Sequence, residues 1–550
     1  MLVCLAVGYL RSRPVRADAA SGSWRLVFAL LALSFAVSAA TGAMPWPWPD
    51  LNSFASYNSP YNAVRIATGV VWAGLCVGLL RRLDPSGHDT GRALASGMAL
   101  GLAFVVVFVV WERLAFVGLF DFADEYRVSG PFSAMHRGGA FVECYIAVAM
   151  PFVALRVIDA RGWFFRAAGA VLLVATSYAM MVTFSRGGYA AFGAALIVFF
   201  ALALMRGSAS PRFGALLVVV MLAVASTVLL GPFAQQRLAQ WGQDLTSRQA
   251  HWRDALEMRD SGLWTAAFGM GVGRFPETHF WRSREALHAA SYRLESDAGK
   301  RYLRLGGGGG RLYIEQIVNG ELTPSLVLKL RLRANQSAAP FELSLCEKWL
   351  LTSRNCVAAT VRSGGTAGAW ASVEARLNAA ALMQIGTSFP RPMKLSLYTP
   401  SNGTVVDIAD IRLLTAQGRD LLSNGNFNGD LSGGLDHWFF STDADPPWHI
   451  HSLPVAVLFD QGWFGVVAWA SLFALALRRG ARQAWHGDRQ AAAAVAALVA
   501  FLVVGLLNTL IDDPRFLFLL LLVAWLGCQA RRPSANSAGA RPAGLAVGAA

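Results

Sequence analysis

The chain has 550 residues, 55% of them hydrophobic and 15% charged, with a formal net charge of +14 and a mean hydropathy of +0.42. Soluble domains of this size carry more charge, so the composition excludes an ordinary soluble enzyme and points to an integral membrane protein. The basic excess is not gathered on a soluble face, which excludes a nucleic-acid partner.

Taken in chain order, the first ten residues, MLVCLAVGYL, are apolar but too short to span a bilayer. No small-residue cleavage site follows, so they read as the tail of a first helix and not as a signal peptide. Apolar stretches long enough, or nearly so, to cross a bilayer are expected at 24–46, 64–81, 93–120, 138–157, 163–184, 187–205, 213–232, 453–477, 489–511 and 515–530. They bracket a polar block at 233–450. Its first part, 233–275, reads as helical, with Arg248, Trp252 and Ala255 at three- to four-residue spacing, and it closes in Gly269-Met270-Gly271-Val272-Gly273. Between 290 and 440 the period changes to two: LYIEQIV, SLVLKLRLRA, FELSLCE, MKLSLYT and VVDIADIRLL are separated by turn residues. That pattern predicts an antiparallel β-sandwich. The glycine run 306–310 reads as a flexible turn; no Lys-Ser/Thr follows it, so it is not a phosphate loop.

The expected fold is therefore an all-α polytopic membrane protein of about 10–12 transmembrane helices carrying an inserted all-β sandwich. The expected divisions are membrane helices at 1–232, a helical loop segment at 233–285, the sandwich at 286–445, membrane helices at 446–532 and a disordered cytoplasmic tail at 533–550. Orientation follows from the basic residues. Arg11, Arg13, Arg16, Arg81, Arg82, Arg161, Arg166, Arg206, Arg212, Arg478, Arg479, Arg482, Arg531 and Arg532 all fall on one side, which the positive-inside rule makes cytoplasmic. The turn at 185–188, the loop at 121–136, the polar block and residues 511–514 then lie outside.

Cys4, Cys76, Cys144 and Cys528 lie in or beside spans, where a free thiol acts as a small hydrophobe. Cys346 and Cys356 belong to the polar block. An oxidising compartment favours a disulfide between them, and no nearby His supports a metal site.

The segment LLSNGNFNGDLSGGLDHWFF (421–440) resembles the "NG-F…G…W" signature at one edge of carbohydrate-binding jelly-roll modules. With EQIV at 315–318, DIADIRL at 407–413 and Trp370, it implies such a module with its order rotated. Glycan contact and a plain spacer or packing role both remain open for it.

Three further stretches belong together: TFSRGGYAAFG (183–193), SRQAHWRDALEM…GMGVGRF (247–275) and HSLPVAVLFDQGWFG (451–465). In this order and with these offsets they resemble the O-antigen ligase/polymerase superfamily of membrane glycosyltransferases. Ser452, Pro454 and Asp460 depart from that family's usual Asn, aromatic and Glu. The resemblance implies a GT-C-like membrane fold in a bacterial inner membrane, with the large loop periplasmic. It implies a polyprenyl-diphosphate-linked glycan as donor, inversion at the anomeric carbon, and no metal or cofactor. The acceptor it implies is lipid A-core, another glycan or a protein hydroxyl, corresponding to ligase, polymerase or oligosaccharyltransferase.

The residues suit that chemistry. A diphosphate leaving group needs charge stabilisation, which arginine supplies as a rigid fork of donors; Arg186 and Arg248 are the candidates. An attacking hydroxyl must lose a proton, and His451 is the candidate base. His451 and the guanidiniums should converge on one cavity, on opposite sides of a sugar-sized gap. The bland alternatives are lipid contact for Arg186, a solvated helix face for Arg248 and a helix cap for His451, with His449 a register alternative. Asp460 lies nine residues from His451, about half a turn off and about 13 Å along a helix, so it should hold a structural hydrogen bond deeper in the bundle. Gly462 and Gly465 suit close helix packing.

Further candidates for substrate contact are Trp252, Glu112 within a span, and Arg127, His136 and Arg137 in the loop after it. Asp121, Asp124, Glu125, Asp512 and Asp513 have no metal-site spacing and read as solvated. A transporter of lipid-linked glycans is the competing reading from another class, but no internal repeat supports it. A glycan receptor with an inert anchor would not need ten spans.

Overall fold

The computed structural model describes residues 22–46, 48, 59–84, 87–132, 139–204, 211–284, 290–318, 322–348, 353–383, 392–429, 434–442 and 449–529. His136, Arg137, the apolar stretch at 1–10 and the tail at 533–550 lie outside the described residues.

The helices of the first half are α1 (Gly22–Gly42), α2 (Asn62–Leu83), α3 (His88–Phe116), α4 (Ala140–Asp159), α5 (Trp163–Met181), α6 (Arg186–Leu204) and α7 (Pro211–Leu229). The chain then bends by 81° into α8 (Pro232–Ala239). After the polar block come α13 (Leu453–Trp485), α14 (Arg489–Leu507) and α15 (Pro514–Cys528). Among the described residues, eight helices are long and apolar enough to cross a membrane, and nine if the bent pair counts as one span. This differs from the ten stretches expected. The α7 segment passes only together with α8, across the bend, and α15 has just 15 residues. The α15 helix starts at Pro514, capped by the Asp513 carboxylate, and so extends only about 22 Å.

Among the long apolar helices, α4 and α14 are the most enclosed. The α14 sequence RQAAAAVAALVAF explains its place: small side chains let α6, α4 and α13 approach closely. Loops gather at the two ends of the bundle. At one end Asn62 bonds the Gly273 carbonyl, Arg127 that of Thr183, Phe233 N–H that of Phe122, and Thr509 that of Ile450. At the other end Arg479 bonds Ser23, Gln483 the Gln529 carbonyl, and Arg489 pairs with Asp159.

In the polar block the helices are α9 (Trp241–Glu257), α10 (Leu263–Phe268) and α11 (Phe275–Arg282). A β domain follows. One sheet has the strand order β1-β2-β9-β4-β7 and the other β10-β3-β8-β5-β6, with antiparallel pairing throughout. The strands are β1 (Ser291–Asp297), β2 (Lys300–Gly306), β3 (Leu312–Ile317), β4 (Ser325–Ala334), β5 (Pro340–Lys348), β6 (Ser353–Arg362), β7 (Ala371–Asn378), β8 (Met393–Tyr398), β9 (Val405–Thr415) and β10 (Phe439–Thr442), with a short helix, α12 (Ala380–Met383), between β7 and β8. Alternation sends Leu326, Leu328, Leu330 and Leu332 of β4 into a core shared with Phe341, Leu343, Leu345, Leu395 and Leu397. Cys346 and Cys356 face each other on β5 and β6 and are joined in a disulfide, with Cα atoms 4.1 Å apart.

The jelly-roll signature is used for packing here. Trp438 bonds the Asn424 carbonyl at 3.0 Å and stacks near Phe427, which is fully buried. The Asn424 side chain bonds the Gly434 and Asp436 carbonyls. On the outer face, Arg331 and Arg333 stack over the ring of Trp370, with centroids 5.0 and 4.7 Å away. Arg333 and Arg304 share Asp407.

Candidate active site

The site lies at the end of the bundle where Asn62, Arg127 and Thr509 make their loop contacts, and each of the three motifs has a local reason to present its side chain there. In the first, Phe184 adopts a left-handed conformation with φ 49 and turns the chain sharply between α5 and α6. Ser185 then caps α6 by accepting from the Gly188 N–H at 3.2 Å, which leaves Arg186 in the first helical turn. A Cβ on Gly188 would lie 2.9 Å from Cβ of Glu143, so only glycine lets α6 close on α4 at this level. The Arg186 guanidinium bonds the Arg237 carbonyl at 2.5 Å and pairs with Asp244 of α9.

The second and third motifs interlock. Gly462 breaks α13 with φ 62 and ψ −165, which withdraws intrahelical donors from the carbonyls before it. The glycine-rich turn replaces them: Met270 N–H bonds the Phe459 carbonyl at 2.7 Å and Gly271 N–H bonds that of Asp460 at 3.0 Å. Ser38 of α1 adds a bond to the Asp460 carbonyl at 2.7 Å. The Gly462 backbone packs against residues 267–269 so closely that a Cβ would clash with Ala267. Gly462 thus interrupts a helix and seats a turn against it, where simple helix packing was expected.

This arrangement brings α9 beside the start of α13. Trp252 donates its indole N–H to the His451 carbonyl at 2.9 Å, and Arg248, one turn earlier, bonds the Leu507 carbonyl at the end of α14. Asn508, the C-cap of α14, hydrogen-bonds His451 and donates to Oε1 of Glu143 at 3.4 Å. Arg127, Arg237 and Arg248 all lie within electrostatic reach of Arg186. Arg127 and Arg248 also flank Glu143. His451, Arg186 and Arg248 therefore share one neighbourhood, with Arg127 and Trp252 beside them.

Three histidines surround His451. His449 and His251 have ring centroids 4.8 and 5.2 Å from it, and His279 stands 6.1 Å from His251. Burial, followed by His449, His251 and Arg248, holds His451 well below the ordinary imidazole value, with an Asn508 bond opposing. Burial, His251 and Arg248 push His449 down to about 3. Both rings are thus neutral at pH 7 and able to accept a proton. Burial draws the Arg248 guanidinium below its ordinary value; Glu143 opposes this and Arg237 adds to it.

Several expectations are corrected. The Glu112 carboxylate, a candidate for substrate contact, is engaged within the protein. It accepts from Tyr126 OH at 2.7 Å and from the N–H groups of Ser129 and Gly130, and so pins the loop that carries Arg127. Oδ1 of the Asp460 carboxylate has no hydrogen-bond partner among the described residues; the Asp460 backbone carbonyl takes the structural bonds. Asp121, Asp124 and Glu125 are exposed, whereas Asp513 is buried at the cap of α15 and Oδ1 of Asp512 is buried in a space lined by residues of α2 and α13.

Among the described residues no group of three or more His, Cys, Asp or Glu is arranged to hold a metal ion. Glu143, Asn508, Asp244, Arg237 and His251 were not singled out in the sequence. His251 had a signal, standing three residues after Arg248 on one helix face. The others are single polar residues with no spacing pattern.

No protein-family model matches the chain, and no curated protein matches it. Among solved structures, one titled "PbXyn10C CBM APO" is 18% identical over 25% of this chain and 79% of its own, with a TM-score of 0.15, too low to bear on fold or function.

Proposed function

We propose that the chain is a glycosyltransferase of a bacterial plasma membrane. On this reading it moves a glycan from a polyprenyl-diphosphate donor to an acceptor hydroxyl at the outer face, as the O-antigen ligase/polymerase superfamily does. The observation that carries the reading is the meeting of Arg186, Arg248 and His451 from three distant segments, with Arg127 and Arg237 adding charge. Positive charge is disfavoured on the outer face unless something anionic requires it. A diphosphate meets that requirement.

In this mechanism the guanidiniums hold the diphosphate, and Asp244 yields the Arg186 fork to it. The acceptor oxygen attacks the anomeric carbon while His451 takes its proton. The bond from that carbon to the diphosphate oxygen breaks, and the electron pair leaves with the diphosphate, whose charge the fixed guanidiniums offset. Attack opposite the leaving group inverts the carbon. The bound diphosphate also raises the basicity of His451, countering the cationic surroundings that depress it in the free protein. The β domain, on the same face, is a spacer or a glycan contact.

The test is transfer by the purified protein in lipid, supplied with an undecaprenyl-diphosphate glycan and, in turn, lipid A-core, free glycan and a hydroxyl-bearing protein. The parental protein should transfer to one of these, and His451→Ala should not. If His451→Ala transfers at the parental rate, the reading is wrong.

A further inference from the structure

His449 links the site to a second polar space. It is 6% exposed, its ring lies 4.8 Å from that of His451, and it lines a narrow cavity with Asn62, Arg65, Asp460, Thr509 and Asp512. The space admits water but not a sugar ring. Asp460 is 8% exposed, and its Oδ1 and that of Asp512 are buried without a hydrogen-bond partner among the described residues. Both carboxylates line this one narrow space. Burial brings Asp512 up to about 7, against the pull of Arg65 and with Asp513 adding.

The transfer reaction leaves a proton to dispose of. The leaving diphosphate is held by guanidiniums and does not need it. An imidazolium at His451 would sit beside Arg248, His251 and His449, which disfavour its charge. Nδ1 of His451 is buried and has no hydrogen-bond partner among the described residues.

We infer that Asp512 and Asp460, reached through His449 and water in this cavity, receive the proton that His451 takes from the acceptor. The inference builds on the transfer reaction proposed above. The acceptor O–H bond breaks as the proton passes to one ring nitrogen of His451, and the proton on the other leaves for His449. His449 takes it on one ring nitrogen and releases one from the other, and water carries it to a carboxylate oxygen of Asp512. No group is oxidised or reduced, and each imidazole returns to its neutral form. The charged and titratable groups around the route are Arg248 and His251 from α9, Arg65 from α2, Asp460 from α13, and Asp513. The role absorbs Asp460, which stands in the third motif and touches neither His451 nor the guanidiniums in any contact described above.

The test compares Asp512→Asn, Asp460→Asn and Asp512→Ala with the parental protein in lipid, using the diphosphate-linked donor. Donor binding and thermal stability serve as controls for folding. Asp512→Asn should lower kcat by about tenfold or more with donor KM unchanged, and the solvent deuterium isotope effect on kcat should rise. Formate should restore part of the activity of Asp512→Ala. Parental kcat in Asp512→Asn, or a loss with an unchanged isotope effect and no rescue, would overturn the relay. An infrared titration supplies a readout that needs no turnover. The parental protein should show a protonated carboxyl band that titrates near neutral pH and vanishes in Asp512→Asn; its absence refutes the inference. A protein that shows the band but transfers to no acceptor counts against the transferase reading instead.

Discussion

The indole N–H of Trp252 reaches the backbone carbonyl of His451, 199 residues away, at 2.9 Å. One bond thereby fixes the distance between the helix that carries Arg248 and the residue proposed as base. Trp252→Phe keeps the ring and removes the donor. It should cost about 1–2 kcal/mol of local stability and lower kcat without abolishing donor binding. Steady-state kinetics in lipid, with donor KM and kcat separated, check this; parental kcat would show that the bond is incidental.

The depressed histidines set the pH behaviour. Activity that needs neutral His451 should persist well below pH 6.5 in the free-enzyme profile, kcat/KM, because the base stays unprotonated until its lowered value is passed. Stability has the same origin. The unfolded chain binds a proton at His449 near pH 6.5 and the folded chain only near 3, so this contribution is present above 6.5 and is lost as pH falls between those limits. Thermal melts from pH 7 to 4 should show the fall, and His449→Gln should flatten it.

Arg186→Lys tests the fork. The guanidinium bonds the Arg237 carbonyl and pairs with Asp244. A single ammonium cannot hold both and still present a planar edge to a phosphate. Donor KM should rise about tenfold or more while the protein inserts normally. Unchanged donor KM would move the diphosphate away from this residue.

Gly462→Ala tests the interlock between the second and third motifs. The added Cβ meets the Ala267 backbone at 2.5 Å, at a backbone conformation that alanine resists. A loss of about 2 kcal/mol or more is expected, read as a lowered melting temperature in detergent.

Removing the disulfide by Cys346→Ser with Cys356→Ser should destabilise the β domain by about 2–4 kcal/mol. Faster proteolysis within residues 291–442 of the full-length protein would report it, with the helices left intact.

Much of this was legible in the sequence because it is written as period and motif. The alternation of SLVLKLRLRA is the burial pattern of β4, and SRG, R…W and H…D-x-G mark the segments that meet at the site. Strands β1, β2, β6 and β7 escaped because charged or small residues such as those of SYRLESD and SRNCVAATVR blur the apolar alternation. Glu143 and Asn508 escaped for another reason. Each is one polar residue at the mouth of an apolar helix, and its meaning lies in partners supplied by other helices. For Asp460 the spacing predicts a structural bond to the carboxylate, and the break at Gly462 passes that bond to the backbone carbonyl.

The chain leaves the helical layer after α11 and comes back at His449, and both ends of that excursion are already stapled together. Phe275 packs on Phe459 at 5.6 Å, and Ile450, Ala456, Ala255 and Met258 complete the same small core. Whatever hangs between residues 283 and 448 therefore closes no gap that the site needs closed. The β domain behaves as a cassette in a socket with its own lock. Replacing it by a short flexible linker should leave the Arg248–His451 arrangement assembled, so its sequence is free to change without disturbing the helices.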